Sequence, residues 1–312
     1  MRSWLPFLLS ITTFATASLH AESALNLYGA GSEVENPIVT PEAPGRPFFI
    51  STEFEGIASA HFDHRHFKKQ KIGYTAGELA AGGVIFYNAC KQEAINVSLS
   101  YWHDHIEWKH NRYFDHHSFD NVTLSVGFFS MRVHDWFWRG QVGIDVDATY
   151  GDFWRYTFYD LLLWGRYTCS PTLGFHVGFV GQTGQRLDHV YPLIGLDWAI
   201  SDRWKLNAVF PVEISLEYTL TQRWSFALAT RFFEIRHRLR QSDRLKRGLI
   251  EYKNTGLELG CNYVYGKAIN VNLHVGEALG GYFKLESQRH RRIHRLEFKP
   301  SPYAGGELQF HF

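Results

Sequence analysis

The strongest constraint in this chain is a side-chain period of two that persists over long runs. Ile95, Val97, Leu99 and Tyr101 alternate with Asn96, Ser98, Ser100 and Trp102. Val122, Leu124, Val126 and Phe128 alternate with Thr123, Ser125 and Gly127, while Ile269, Val271, Leu273 and Val275 oppose Asn270, Asn272 and His274. Successive side chains of a strand point to opposite faces, so each run builds a sheet with one apolar and one polar face. The runs are roughly nine to fourteen residues long, against ~5–6 for a soluble sandwich strand, and that length crosses a bilayer when tilted. Beyond the N-terminus no stretch reaches ~18 uninterrupted apolar residues, so no helix of the mature chain is expected to span. With lipid offering no partner to a free strand edge, such a chain enters a membrane only as a closed barrel.

The connections carry a second regularity. Short turns at 90–93, 134–135, 170–171, 201–203, 221–223 and 266–267 intersperse with longer, more charged segments at 61–72, 103–117, 151–155, 181–190, 235–250 and 286–301. Short periplasmic turns and long outer loops are the layout of outer-membrane barrels. A first strand near Phe48–Ala60 gives about fourteen strands; if 204–219, broken at Phe210-Pro211, is one strand and not two, the count falls to about twelve. The expected fold is all-β, an antiparallel transmembrane β-barrel of about 12–14 strands over 48–312.

Both ends of the chain speak to export. Arg2 and the apolar run Trp4 to Phe14, followed by small residues at Ala15-Thr16-Ala17 and Ala21, predict a signal peptide over 1–21. Residues 22–47, rich in Gly, Pro, Ser and Glu, predict an irregular periplasmic or lumenal leader. At the other end Ala304 to Phe312 alternates without a break and finishes on Leu308, Phe310 and Phe312. This ending resembles the terminal signal of Gram-negative outer-membrane β-barrel proteins, although Gly305 and Gly306 sit one or two positions from its strictest spacing. The resemblance implies an outer-membrane location, recognition of Leu308, Phe310 and Phe312 by the barrel-assembly machinery, and contact with outer-membrane lipid and lipopolysaccharide.

Composition agrees. Aromatic residues make up 16% of the chain, with 10 Trp and 25 Phe but 2 Met, as interfacial girdles require. The mean hydropathy of −0.25 is low for a helical membrane protein and suits strands with one polar face. A net charge of +1 argues against a wholly basic nucleic-acid-binding protein and against an acidic disordered chain. Cys90, Cys169 and Cys261 are odd in number, which leaves a free thiol or a disulfide to a neighbouring envelope protein.

The polar half of each strand predicts the lumen. Arg139, Asp145, Asp147, Arg166, Asp197, Glu213, Glu217, Arg231, Glu258 and His274 fall on it, and because both signs occur no strong ion selectivity follows from counting them. Two basic clusters, Arg236, Arg238, Arg240, Arg244, Lys246 and Arg247, then Arg289, Arg291, Arg292 and Arg295, are candidate polyanion contacts for lipid phosphate or acidic polysaccharide. His61, His64, His66, His116 and His117 have metal-ligand chemistry but match no closed motif, and solvated loop histidines are the simpler reading. His117 and Ser118 with Asp120 supply the residue types of a lipid hydrolase without its spacing, and no cofactor is implied. The expectation is a porin-like channel for small polar solutes or a structural envelope protein, with a lipid hydrolase or a polysaccharide-binding adhesin as alternatives.

Overall fold

A computed structural model describes residues 46–148, 157–184, 189–266, 268–287 and 292–312. The expected signal over 1–21, all but the last two residues of the leader over 22–47, the segment 151–155, and Arg289 and Arg291 lie outside them. The described chain forms β1 (Phe48–His61), β2 (Lys71–Asn88), β3 (Glu93–Glu107), β4 (Ser118–Ser130) and β5 (Trp136–Asp147). It continues as β6 (Thr157–Ser170), β7 (Leu173–Gly184), β8 (His189–Ala199), β9 (Trp204–Phe210) and β10 (Glu213–Thr219). The last elements are β11 (Trp224–Arg238), β12 (Leu249–Tyr265), β13 (Ile269–Glu286), β14 (Arg292–Phe298) and β15 (Ser301–His311).

From β1 to β14 each strand pairs antiparallel with the next in sequence, and β1 pairs with β15 to close the ring. β13 pairs with β15 along its first half and with β14 along its second, so β14 and β15 share one place in the wall. Fourteen places therefore form a closed antiparallel barrel. The junction at Phe210-Pro211 is a hairpin, with β9 and β10 paired from Val209↔Glu213 to Trp204↔Tyr218. At the seam the register runs from Phe49↔His311 to Ile57↔Tyr303. Phe48 N–H donates to the Phe312 carbonyl at 3.1 Å and Phe312 N–H to Phe48 at 2.9 Å.

Alternation sorts the side chains. Leu99, Leu124, Val142, Leu161, Val177, Leu259 and Leu273 are exposed on the outer face, while Ser98, Ser125, Gln141 and His274 behind them are buried. Short turns and both described termini lie at one end, which corresponds to the periplasmic end of outer-membrane barrels, and the opposite end to their extracellular end; the two ends are named accordingly.

The extracellular half is not an open tube. β4 and β11 stand seven places apart in either direction around the ring, yet Phe119 and His237 stack with centroids 4.4 Å apart. Tyr74 of β2 stacks on Tyr252 of β12 at 5.2 Å, and Trp108 meets Phe283 of β13 edge-on at 5.5 Å. These rings belong to one core that also holds Phe62, Phe114, Phe233, Ile235, Leu285 and Leu296. The wall has folded inward there, so β1–β4 and β11–β15 face each other like two sheets of a sandwich.

The short hairpin makes this collapse possible. β9 and β10 have 7 residues each, and their pairing with neighbours stops at Ile194↔Phe210 and Ile214↔Thr230. Seven residues rise roughly 18 Å at a typical tilt, short of the ~25 Å apolar belt. Above that level β11 has no described β10 partner and is free to bend into the lumen. Its second face then meets β6 and β8: Arg236 hydrogen-bonds Tyr191 and lies within electrostatic reach of Asp160.

This corrects the loop boundaries expected at 235–250 and 286–301. β11 runs to Arg238, β12 begins at Leu249, β13 runs to Glu286 and β14 begins at Arg292. Charges on one face and Ile235, Ile250, Phe283 and Leu285 on the other keep the period of two, but inverted from the lipid-facing pattern.

Bending needs close backbone approach at one point. Gly280 sits at φ +103°, and a Cβ on Gly281 would overlap the Lys253 carbonyl oxygen. G281V is expected to destabilise the barrel by about 3 kcal/mol or more, read as a lower urea midpoint in lipid vesicles.

Candidate functional site: the barrel lumen

Inward-facing residues build three charged groups. The central one gathers on Arg231 of β11, which donates to Glu258 on β12 at 2.8 Å, to Glu55 on β1 at 2.6 Å and to Glu53 at 3.2 Å. β11 and β1 lie four places apart, so the guanidinium spans a chord of the lumen. Tyr303 donates to Glu258 at 2.8 Å, and His274 Nε2 lies 3.4 Å from Glu55. Flanking Glu53 on the same rung are Glu78 of β2 and Glu307 of β15.

The second group is on β6–β8. Arg166 grips both oxygens of Asp197 at 2.7 Å, and His176 Nε2 meets the same carboxylate at 2.6 Å. Trp164 Nε1–H donates to His176 Nδ1 at 3.0 Å, so Nε2 carries the proton given to Asp197. Both ring nitrogens are occupied and no hydroxyl is offered, so this constellation orients charge and is not a nucleophile–base pair.

The third group lies toward the extracellular side. Asp145 and Asp147 of β5 are buried and within electrostatic reach of Asp160 and Asp104. Asp104 accepts from Tyr74 at 2.8 Å and bonds His237 across the lumen at 3.0 Å. Glu213 and Glu217 of β10 belong with the Arg231 group, Glu213 lying within electrostatic reach of Arg231 and Glu258 and accepting from Asn207 at 3.2 Å.

The described inward face thus carries twelve carboxylates: Glu53, Glu55 and Glu258; Glu78 and Glu307; Asp197; Asp104, Asp145, Asp147 and Asp160; Glu213 and Glu217. Its Arg and Lys are Arg139, Arg166, Lys205 and Arg231. Counting the sequence candidates alone indicates no selectivity; the described inward face carries an excess of carboxylates. The expected lumen residues Arg139, Asp145, Asp147, Arg166, Glu213, Glu217, Arg231, Glu258 and His274 are all placed on this face. Glu53, Glu55, Glu78, Asp104, Asp160 and Glu307 were not picked out, though Glu53 and Glu55 flank the exposed Phe54 with the same alternation used elsewhere.

The basic clusters divide. Arg236 and Arg238 are buried strand residues, not loop residues, because the inward bend covers their face. Arg236 pairs with Glu234, and Lys253 bridges Glu234 at 2.9 Å and Glu251 at 3.3 Å. Arg244, Lys246 and Arg292 are exposed at the extracellular rim, Arg247 is half-buried, and Arg295 stacks over Tyr282 at 4.0 Å. Arg240 donates to His116 Nε2 at 3.0 Å.

Among the described residues no three His, Cys, Asp or Glu side chains converge to coordinate one metal ion directly. His64 and His66 stand 5.7 Å apart, while His116 turns to Arg240 and His117 Nδ1 bonds the Ile106 carbonyl at 2.9 Å. Ser118 pairs with His105 at 2.9 Å and not with His117. Cys90 and Cys169 are exposed at the periplasmic end, and Cys261 is half-buried on β12.

Two expected outcomes follow from these contacts. R231M leaves Glu53, Glu55 and Glu258 without their shared cation and should cost about 3–5 kcal/mol, measured by urea titration in vesicles. Burial, reinforced by Arg240, holds the His116 imidazole below its usual value of 6.5. The neutral ring that accepts from Arg240 is therefore favoured above about pH 6.5, and that stabilisation fades as pH falls through and below it. Protection factors across 108–117 and 239–247, taken relative to the intrinsic exchange rate at each pH, should fall from about pH 7.5 to about pH 5, and H116Q should flatten this dependence.

Comparison with known proteins agrees with the fold. The chain is 23% identical over 284 residues to an uncharacterized protein of Chlamydia pneumoniae, covering 86% of this chain and 88% of that one. It is 22% identical over 295 residues to an uncharacterized protein of Chlamydia trachomatis serovar D, covering 90% of each. Among solved structures it resembles a FadL homologue of Pseudomonas aeruginosa, with a TM-score of 0.50, 9% identity, and 86% and 90% of the two chains covered. An outer-membrane channel of Pseudomonas putida F1 aligns with a TM-score of 0.49 and 9% identity over 89% of this chain and 99% of that one. The fold is that of outer-membrane barrels, and the match of residues 94–311 to the family model described as Domain of unknown function (DUF6268) makes this chain a member of that family.

Proposed function

We propose that the protein is an outer-membrane channel for small polar solutes whose lumen favours cations. The observation that carries this reading is the excess of interior carboxylates among the described residues, twelve against four Arg and Lys on the inward alternation. It is still an excess when the bent-in face adds Glu234, Glu251 and Glu286 against Arg236, Arg238, Lys253 and Lys284. Ionised carboxylates facing a lumen are sustained by water and mobile cations, and rings of Asp and Glu favour cation passage. The aromatic core fills the side bounded by β1–β4 and β11–β15, and a second apolar cluster of Leu162, Trp164, Val180, Leu193 and Val209 stands on β6–β9, which confines a polar path to the strip between them that carries Asp145, Asp160 and Glu213. A path confined to part of the cross-section suits small solutes. At the rim, we assign the exposed Arg244, Lys246 and Arg292 to lipopolysaccharide phosphates.

Purified, refolded protein in a planar bilayer tests the reading. A small conductance step is expected, with a reversal potential of the sign for cation over chloride in a KCl gradient. D160N with E213Q should move that potential toward zero. Absence of any step, or anion preference, would contradict the proposal.

A further inference from the structure

One rung of the lumen concentrates charge without matching it. Glu53 is register-paired with Glu78 on β2 and with Glu307 on β15, so three carboxylates stand side by side on neighbouring strands. Cβ atoms of directly opposed residues lie about 4.5–5.5 Å apart, a spacing at which like charges repel. Arg231 reaches Glu53, but among the described residues neither Glu78 nor Glu307 makes an ion pair. Glu78 is only 8% exposed, and its Oε1 has no hydrogen-bond partner. Ser100 on the adjoining strand β3 is 2% exposed, and its Oγ also lacks a partner. On the other flank Glu307 is paired with Asn272.

Arg231 and His274 reach Glu307 only at a distance, and one guanidinium already shared among Glu53, Glu55 and Glu258 leaves the rung short of positive charge. The rung lies in the periplasmic half of β1, below Ile57, where the aromatic core begins. It is therefore on the periplasmic side of that core. No three carboxylates here form a direct cage, which excludes a dehydrated ion held by protein oxygens alone. Magnesium-like ions keep several waters and bind through one or two carboxylates, so such an ion does not need the three groups to converge on it.

We propose that Glu78, Glu53 and Glu307 bind a hydrated divalent cation in the periplasmic half of the lumen. The proposal deepens the reading of a cation-favouring lumen, and the bound ion would occupy the route of monovalent cations and slow them.

The test uses full-length protein in lipid nanodiscs and Mn²⁺ as the probe, with free ion counted by electron paramagnetic resonance. One saturable site per chain is expected, displaced by Mg²⁺ and Ca²⁺. Its affinity should fall about tenfold or more in E78Q and again in E307Q, and stay unchanged in E297Q, which alters an exposed residue. If E78Q fails to give a folded, heat-modifiable band, E307Q alone carries the comparison. Absence of saturable Mn²⁺ binding, or a site that survives both substitutions, would overturn the proposal. So would an infrared band of protonated carboxyl groups at neutral pH that Mn²⁺ does not remove, because the rung would then be neutralised by protons. A cation-selective conductance without the Mn²⁺ site rejects this inference and leaves the channel reading intact. A Mn²⁺ site in a barrel that does not conduct supports this inference and rejects the channel reading.

Discussion

Lipid offers no hydrogen-bond partner to a strand edge, and the seam between β1 and β14–β15 is what removes the last edge from this chain. Phe48 and Phe312 exchange both backbone hydrogen bonds at its base. Much else depends on that closure. Two termini meeting at one end demand an even number of wall places, and they put the short turns at the same end. The acidic rung of Glu78, Glu53 and Glu307 exists because the seam brings Glu307 beside Glu53. Phe312 thus serves as the final closing residue of the ring.

Closure around fourteen places would by itself leave a wide lumen. Two features narrow it. The short β9–β10 hairpin frees the upper part of β11 to bend inward, and the aromatic core from β1–β4 gives it a surface to bury against. Below the core, Arg231 and its three glutamates tie β11 to β1 through charge, and the surrounding carboxylates keep that half polar. Hydrophobic burial shapes the extracellular half, and electrostatics the periplasmic half.

Most of the architecture was legible because period two survives in every strand. Even the doubtful hairpin at Phe210-Pro211 kept it on both sides. The upper segments of β11 to β14 were read as loops for a physical reason. Where the wall bends inward, the face that elsewhere meets lipid becomes interior and carries Glu234, Arg236 and Glu251, so strand residues look like a solvated basic loop. Chord contacts such as Phe119–His237 and Arg231–Glu55 have no local signature, since the partners are brought together by ring position and not by spacing. The acid excess was within reach: extending the inward alternation to β1, β2 and β15 adds Glu53, Glu55, Glu78 and Glu307.

The central claim is a lumen divided into a wet acidic half and a sealed aromatic half. Substituted-cysteine accessibility tests it most directly, in a background where Cys90, Cys169 and Cys261 are replaced by Ser. Single cysteines at Lys205 and Ser225, which face the periplasmic half, are predicted to react quickly with a small charged thiol reagent in vesicle-embedded protein. Cysteines at Ala60 and Ala76, buried in the aromatic core, are predicted to resist it. Equal rates at all four positions would contradict the division, as would faster reaction in the core.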